Sequence, residues 1–129
     1  MEQKTTLDGH DLRAMFTAGT DWLKRIVPDL NALNVYPVPD GDCGTNMLLT
    51  MRASLAETTR ADGLISSVAE AIARGALMGA RGNSGVILSQ IWRGLTRSLA
   101  GKSTIDARDL AQALTEASEM AYQALSNPV

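Results

Sequence analysis

The chain has 129 residues, 45% of them hydrophobic and 20% charged, with a formal net charge of −2. This composition is typical of a single globular domain, and it lacks the basic surplus with which nucleic-acid-binding proteins neutralise phosphates. The lone Cys43 excludes an internal disulfide and a structural zinc site, so we expect a reducing, cytoplasmic setting. No apolar run approaches the ~18 residues of a membrane span, and the N-terminus lacks a signal-peptide core.

The scarcity of aromatic residues, 4% of the chain, favours packed helices over sheets. The spacing of apolar residues predicts five amphipathic helices. Four of them cover residues 8–27, 45–60, 64–80 and 104–125, and the other lies within residues 79–95, after a glycine-rich turn. The fold class predicted is therefore all-α. The apolar positions assigned to the packed faces include Met15, Phe16, Leu23, Val68, Ile72, Leu77, Val86, Leu95, Leu110 and Leu114. Trp22 and Trp92 also lie at helical spacing and are expected to pack in the core or on a partner surface.

Several residues mark where these helices begin and end. Pro28 is expected to end the first helix and to open a short second turn, because proline is tolerated at a helix start. Pro37 and Pro39 predict a loop over residues 34–42. The expected N-caps are Thr45 or Asn46 for the second helix, Asn83 or Ser84 for the fourth and a capping turn at Asp106 for the fifth.

Two glycine-rich loops, "DGDCGTNM" at residues 40–47 and "ARGNSGVI" at residues 80–87, each open onto a helix. A helix start carries unpaired N–H groups and a partial positive charge, which attract phosphate, and a preceding glycine lets a ligand approach the backbone. Carboxylates repel phosphate unless a cation lies between them, and the oxygens of Asp40 and Asp42 suit magnesium. The pair of loops therefore predicts a metal-bridged nucleotide.

The same residues have a structural interpretation. Aspartate and glycine are ordinary turn residues, and Asn or Ser caps helices in proteins that bind no ligand. Physical reasoning on the two loops alone leaves both interpretations open.

Taken together, "LNVYPVPDGDCGTNM" at residues 33–47 and "GARGNSGVILSQIWRG" at residues 79–94 resemble the N-terminal domain of the bacterial fatty acid kinase catalytic subunit. That domain is itself similar to the nucleotide-binding, DhaL-type subunit of dihydroxyacetone kinases. The resemblance implies an antiparallel barrel of eight amphipathic helices that binds ATP and two magnesium ions at one rim. Since only five long helices are predicted, we expect residues 1–129 to form the N-terminal part of such a domain, truncated before the last helices.

By the same resemblance, Asp40 and Asp42 would be the catalytic metal ligands. Dihydroxyacetone kinases place a further aspartate at the position that Val35 holds here, and the nearest polar residue, Asn34, is expected as a third metal ligand. The residues expected to contact the phosphates of ATP or ADP are Gly44, Thr45, Asn46, Asn83, Ser84 and Gly85. Cys43 is expected to be a tolerated neighbour of the metal rather than a ligand, since magnesium disfavours sulfur. Arg81 could either face the transferring phosphoryl group or be solvated.

The function implied is phosphoryl transfer from ATP to a fatty acid carboxylate that a separate fatty-acid-binding protein presents. Two alternatives are a dihydroxyacetone-type kinase subunit and a helical interaction module that has no catalytic role. An incomplete barrel would leave apolar surface uncovered, so we also expect a homo-oligomer. No nucleic-acid partner is expected.

Overall fold

The computed structural model describes residues 4–33 and 41–126, which form five α-helices. The helices are α1 (Gly9–Ala32), α2 (Cys43–Thr58), α3 (Ile65–Gly79), α4 (Gly82–Leu99) and α5 (Ala107–Ser126). Within those ranges the only β-type pairing is an isolated bridge between Leu7 and Ile105. The predicted all-α class is confirmed. None of the five helices combines the length and the apolar character needed to cross a lipid bilayer.

The helix α1 extends further than the sequence predicts, because it passes through Pro28 and ends at Ala32. Proline inside a helix removes one N–H donor and costs roughly 3 kcal/mol or more, which is why a break was expected. The residues around Pro28 pack closely on α2, since the carbonyl oxygen of Val27 and the side chain of Leu30 lie against Gly44. Contacts made by the last turns of α1 thus offset the unfavourable proline.

The core contains two neighbouring clusters of buried apolar residues. Phe16, Val68 and Ile72 form one cluster between α1 and α3, and the ring of Trp92 meets that of Phe16 edge to face at a centroid distance of 5.0 Å. The second cluster joins α3, α4 and α5 and contains Ile65, Ala69, Leu95, Leu99, Ile105, Ala113 and Ala117. The packing of Trp92 on the core agrees with its expected role in the apolar face.

Four of the positions predicted to be buried are instead exposed, and Trp22 does not lie in the core. Leu77 is 69% exposed, Trp22 63% and Leu114 55%. Met15 and Val86 are each 50% exposed. Each lies at correct helical spacing, but the apolar face to which it belongs is wider than the surface that the neighbouring helices cover. Among the described helices, the backbone of α5 comes close only to that of α4. An apolar cleft of about 310 Å³ consequently opens between α1, α4 and α5, with Met15, Trp92 and Leu114 among its walls.

The two ends of the bundle are held together differently. At one end, which we call the closed end, backbone hydrogen bonds join the segments around Leu7, Gly63 and Ile105. The amide of Leu7 donates to the carbonyl of Ile105 at 2.8 Å, and that of Gly9 donates to Gly63 at 2.8 Å. At the other end, which we call the loop end, α1 and α3 finish and α2 and α4 begin.

Close helix contacts at glycines shape the bundle, as the small residues of α3 predict. A methyl group added at Gly75 would lie 2.6 Å from the carbonyl oxygen of Ala53 and 2.7 Å from the Cα atom of Ser54. We expect Gly75→Ala to lower the free energy of unfolding by about 1–3 kcal/mol, because the backbones of α2 and α3 would have to separate. Urea unfolding followed by circular dichroism measures this change.

Gly19→Ala is the matched control, since Gly19 also lies within a helix but has no neighbouring atom within 4 Å of the added methyl. We expect it to raise the free energy of unfolding by about 0.5–1 kcal/mol through its better helix propensity. Equal effects of the two substitutions would contradict the close α2–α3 contact.

Charged side chains cap α5 at the closed end, as predicted for Asp106. The Asp109 amide donates to Asp106 Oδ1 at 3.0 Å, and the Asp106 amide donates to Asp109 Oδ2 at 3.0 Å. Lys102 Nζ also lies 2.8 Å from Asp109 Oδ1. The hydrogen bond from Lys102, with that from the Asp106 amide, lowers the pKa of Asp109 below its ordinary value of 3.8.

A lowered pKa in the folded state makes this carboxylate stabilising above about pH 4, and the stabilisation is lost as the pH falls through the lowered value. We therefore expect Asp109→Asn to reduce stability at neutral pH and to flatten the loss of stability between about pH 4 and pH 2. Thermal unfolding across that range measures both effects. If the variant lost stability at low pH as steeply as the wild type, the Asp109 carboxylate would not be the stabilising group.

Candidate functional site

The loop end brings the two glycine-rich helix starts side by side. Asn46 of α2 lies against Gly82 of α4, and Thr50, one turn further along α2, lies against Gly85. Because the contacts advance in the same direction along both helices, α2 and α4 run parallel and begin at the same end of the bundle. The two helix starts therefore lie side by side, which the predicted metal-bridged nucleotide requires.

The helix α2 begins earlier than predicted. Its first residue is Cys43 and its N-cap position is Asp42, three or four positions before the expected caps Thr45 and Asn46. Gly41, just before it, has a φ of 68°, a left-handed conformation that glycine adopts without strain. This turn allows the helix to begin immediately after the acidic residues.

The first turn of α2 faces α1. A methyl group at Gly44 would lie 2.9 Å from the carbonyl oxygen of Val27, so this glycine allows the two helices to approach closely. The Thr45 amide donates to Asn31 Oδ1 at 3.1 Å, and Asn31 Nδ2 donates to Thr45 Oγ1 at 3.0 Å. The amide and the hydroxyl group of Thr45 are therefore both hydrogen-bonded within the protein.

The helix α4 begins at Gly82 with Arg81 as its N-cap, so the expected caps Asn83 and Ser84 lie inside its first turn. Gly82 has a φ of 64°, and the Asn46 side chain occupies the space where a Cβ atom would lie. Gly85 is buried, and a methyl group there would lie 2.5 Å from Thr50 Oγ1. Both glycines thus bring α4 close to α2.

The two loops also meet through side chains. Cys43 Sγ and Ser84 Oγ are 3.0 Å apart, and both residues are half-buried. Asp42 is half-buried beside them, whereas Asn83 and Arg81 are exposed. The structure therefore brings Asp42, Asn46 and Ser84 to one end of the bundle, with Asn83 at its surface.

Thr50 is a contributor to this geometry that the sequence analysis missed. It is 1% exposed, and its hydroxyl group donates to the carbonyl oxygen of Asn46 at 2.8 Å. Thr50 Oγ1 also accepts the Arg81 amide at 3.2 Å, which ties the start of α4 to α2. A threonine on a helical stripe carries no sequence signal for such a role.

The chemistry of the described residues suits a hard cation, because Asp42 supplies a carboxylate and Ser84 a hydroxyl group at the same end of the bundle. Asp40 and Asn34, the other two predicted metal ligands, lie outside the described residues. Within residues 4–33 and 41–126, no three His, Cys, Asp or Glu side chains are arranged to hold a metal ion. The metal assignment therefore stays a prediction.

One family model and several curated proteins match this chain. The family model described as the DAK2 domain matches residues 37–129, which include both glycine-rich loops. Protein YloV of Bacillus subtilis (strain 168) is 46% identical over 125 residues, covering 96% of this chain and 23% of that protein. An uncharacterized protein of Staphylococcus saprophyticus is 42% identical over 124 residues, covering 95% of this chain and 22% of its own length.

An uncharacterized protein of Staphylococcus aureus (strain USA300) is 40% identical over 124 residues, which cover 95% of this chain and 23% of that protein. The chain thus spans less than a quarter of the length of these three relatives.

The hydroxyl group of Thr50 offers a direct test of the contact between the two loops. We expect Thr50→Val to lower the free energy of unfolding by about 1–2 kcal/mol, because valine has nearly the same shape but cannot accept the Arg81 amide. Thr50→Ser retains the oxygen and should cost clearly less. Chemical denaturation of both variants measures the difference, and a Val variant as stable as the Ser variant would contradict the proposed tie.

Proposed function

Because the chain belongs to the DAK2 domain family, we propose that it binds ATP with magnesium and takes part in phosphoryl transfer. The observation that carries the proposal is the parallel pairing of α2 and α4, whose starts lie side by side at the loop end. Two adjacent helix starts present amide groups and partial positive charge to the same volume, where a polyphosphate is stabilised.

The roles of individual residues follow from this arrangement. Asp42, together with Asp40 and Asn34, would hold the magnesium ions, for which we propose a count of two. Asn46 and the first turn of α4, from Asn83 to Gly85, would contact the phosphates of ATP or ADP. Gly44 and Thr45, which face α1, would support the phosphate site by holding the first turn of α2 in place.

The chemistry proposed is direct transfer of the γ-phosphoryl group. A carboxylate oxygen of the acceptor attacks the γ-phosphorus, the bond to the bridging oxygen of ADP breaks, and ADP leaves with that oxygen. Magnesium, when bound, neutralises charge on the phosphate oxygens. The helix starts contribute fixed dipoles and correct placement, and no covalent intermediate on the protein is required.

For the acceptor we propose a fatty acid carboxylate presented by a separate fatty-acid-binding protein, on the strength of the "NVYPVPDGD" loop form at residues 34–42. The alternative within the same family is a subunit of a dihydroxyacetone-type kinase. The two acceptors differ in their product, since only a fatty acid carboxylate gives an acyl phosphate that hydroxylamine traps.

The domain organisation is part of the proposal. Residues 1–129 would form the N-terminal part of a nucleotide-binding helical kinase domain, and on its own this part would have weak activity or none. The apolar cleft between α1, α4 and α5 supports this view, as it does a homo-oligomer that covers the same surface.

Magnesium-dependent nucleotide binding tests the proposal. We expect Asp42→Ala to weaken ATP binding in the presence of magnesium by about tenfold or more, because one metal ligand is lost, while the helix content stays unchanged. Isothermal titration calorimetry and circular dichroism measure the two quantities.

Asp21→Ala is the control, since Asp21 is an exposed residue in the middle of α1 that should not affect binding. If Asp40→Ala and Asp42→Ala both kept magnesium-dependent ATP affinity, the metal assignment would be wrong. If the wild-type chain bound no nucleotide with magnesium, the non-catalytic interaction module would be the better description.

A further inference from the structure

The helix α2 is capped by a residue of a different helix. At the start of α1, Asp8 in the N-cap position accepts the Asp11 amide at 3.0 Å, and at the start of α5, Asp106 accepts the Asp109 amide in the same way. The helix α2 is likewise preceded by an aspartate, Asp42, but its side chain makes no capping hydrogen bond. The equivalent amide, that of Thr45, donates instead to Asn31 Oδ1 at 3.1 Å.

The backbone of Asp42 agrees with this difference. Asp8 has a φ of −106° and a ψ of −172°, the extended conformation from which an N-cap side chain reaches the third amide of its helix. Asp42 has a φ of −119° and a ψ of 6°, outside that conformation. Asn31 reaches the amide from the last turns of α1 and also donates to Thr45 Oγ1 at 3.0 Å.

We propose that Asn31 is a positioning residue of the nucleotide site, which caps α2 in place of Asp42 and so keeps the Asp42 carboxylate away from the amides of its own helix. This proposal rests on the proposed function, in which that carboxylate holds magnesium. Without Asn31, a rotation of the Asp42 backbone to the conformation seen at Asp8 would let the carboxylate take the Thr45 amide. The helix would then be capped, but the magnesium ligand would be withdrawn.

Nucleotide titration tests the effect on the site. With magnesium present, Asn31→Ala in the full chain should bind ATP about tenfold more weakly than the wild type. Asn31→Asp is the matched variant, because it keeps an oxygen that accepts the Thr45 amide, and it should bind within about threefold of the wild type. The proposal is overturned if Asn31→Ala binds like the wild type, or if Asn31→Asp loses as much affinity as Asn31→Ala.

Thermal unfolding without nucleotide tests the exchange of caps independently of ATP binding. Asn31→Ala and Asp42→Ala should each shift the melting temperature by less than about 2 °C, since one residue can still cap the helix in each variant. The double variant loses both caps and should melt about 3–6 °C below the wild type. Additive shifts in the double variant would overturn the proposal.

The two measurements separate this proposal from the proposed function. If the wild type binds no nucleotide with magnesium, the proposed function fails, but the melting temperatures of the single and double variants still decide whether Asn31 substitutes for Asp42 as the cap. If the wild type binds nucleotide and the shifts in melting temperature are additive, only the role of Asn31 is refuted.

Discussion

The close parallel contact between α2 and α4 is the constraint on which the loop end depends. Two neighbouring helices that run parallel cannot be joined by a tight turn. The chain must therefore return along the bundle between them, and α3 provides that return. The small residues of α3 make this possible, since Gly75 allows the backbone of α2 to approach within contact distance. On the other side, Thr96 Oγ1 of α4 donates to the carbonyl oxygen of Ala69 at 3.0 Å.

The same constraint explains the glycines of the two loops. From sequence, glycine before a helix start is equally consistent with close approach of a ligand and with close approach of another part of the chain. At Gly44, Gly82 and Gly85 the space beside the backbone is filled by α1, Asn46 and Thr50, respectively. These glycines therefore allow the helices to pack closely. Their effect on a bound phosphate would be indirect, through the positions of the helix starts.

The sequence predicted the fold class and part of the core, because periodic apolar residues such as Phe16, Val68 and Leu95 indicate which side of a helix is covered. It could not predict how wide the covered side is, so Leu77 and Leu114 were assigned to the core although they are exposed. It also placed a break at Pro28, because local propensity is visible in a sequence and the contacts of Val27 and Leu30 with α2 are not.

For the candidate site, the sequence identified the two loops, since each carries glycine, a helix start and polar residues, but it did not show that the two helix starts lie side by side. It missed Asn31 and Thr50, whose roles arise from the position of α1 and α4 relative to α2. A hydrogen bond between helices leaves no periodic trace in either segment. The residues that hold a site in place are for this reason harder to predict than the residues that form it.

The two ends of the bundle differ in a way that suits a ligand site at only one of them. Backbone hydrogen bonds hold the closed end, where the amides of Ile65 and Ser66 donate to the carbonyls of Ser103 and Lys102 at 3.1 Å. Side chains supply the contacts described at the loop end, where Thr50 and Asn31 fix the helix starts. Under the proposed function, a charged ligand would bind at this end, while backbone hydrogen bonds at the opposite end keep the helices in register.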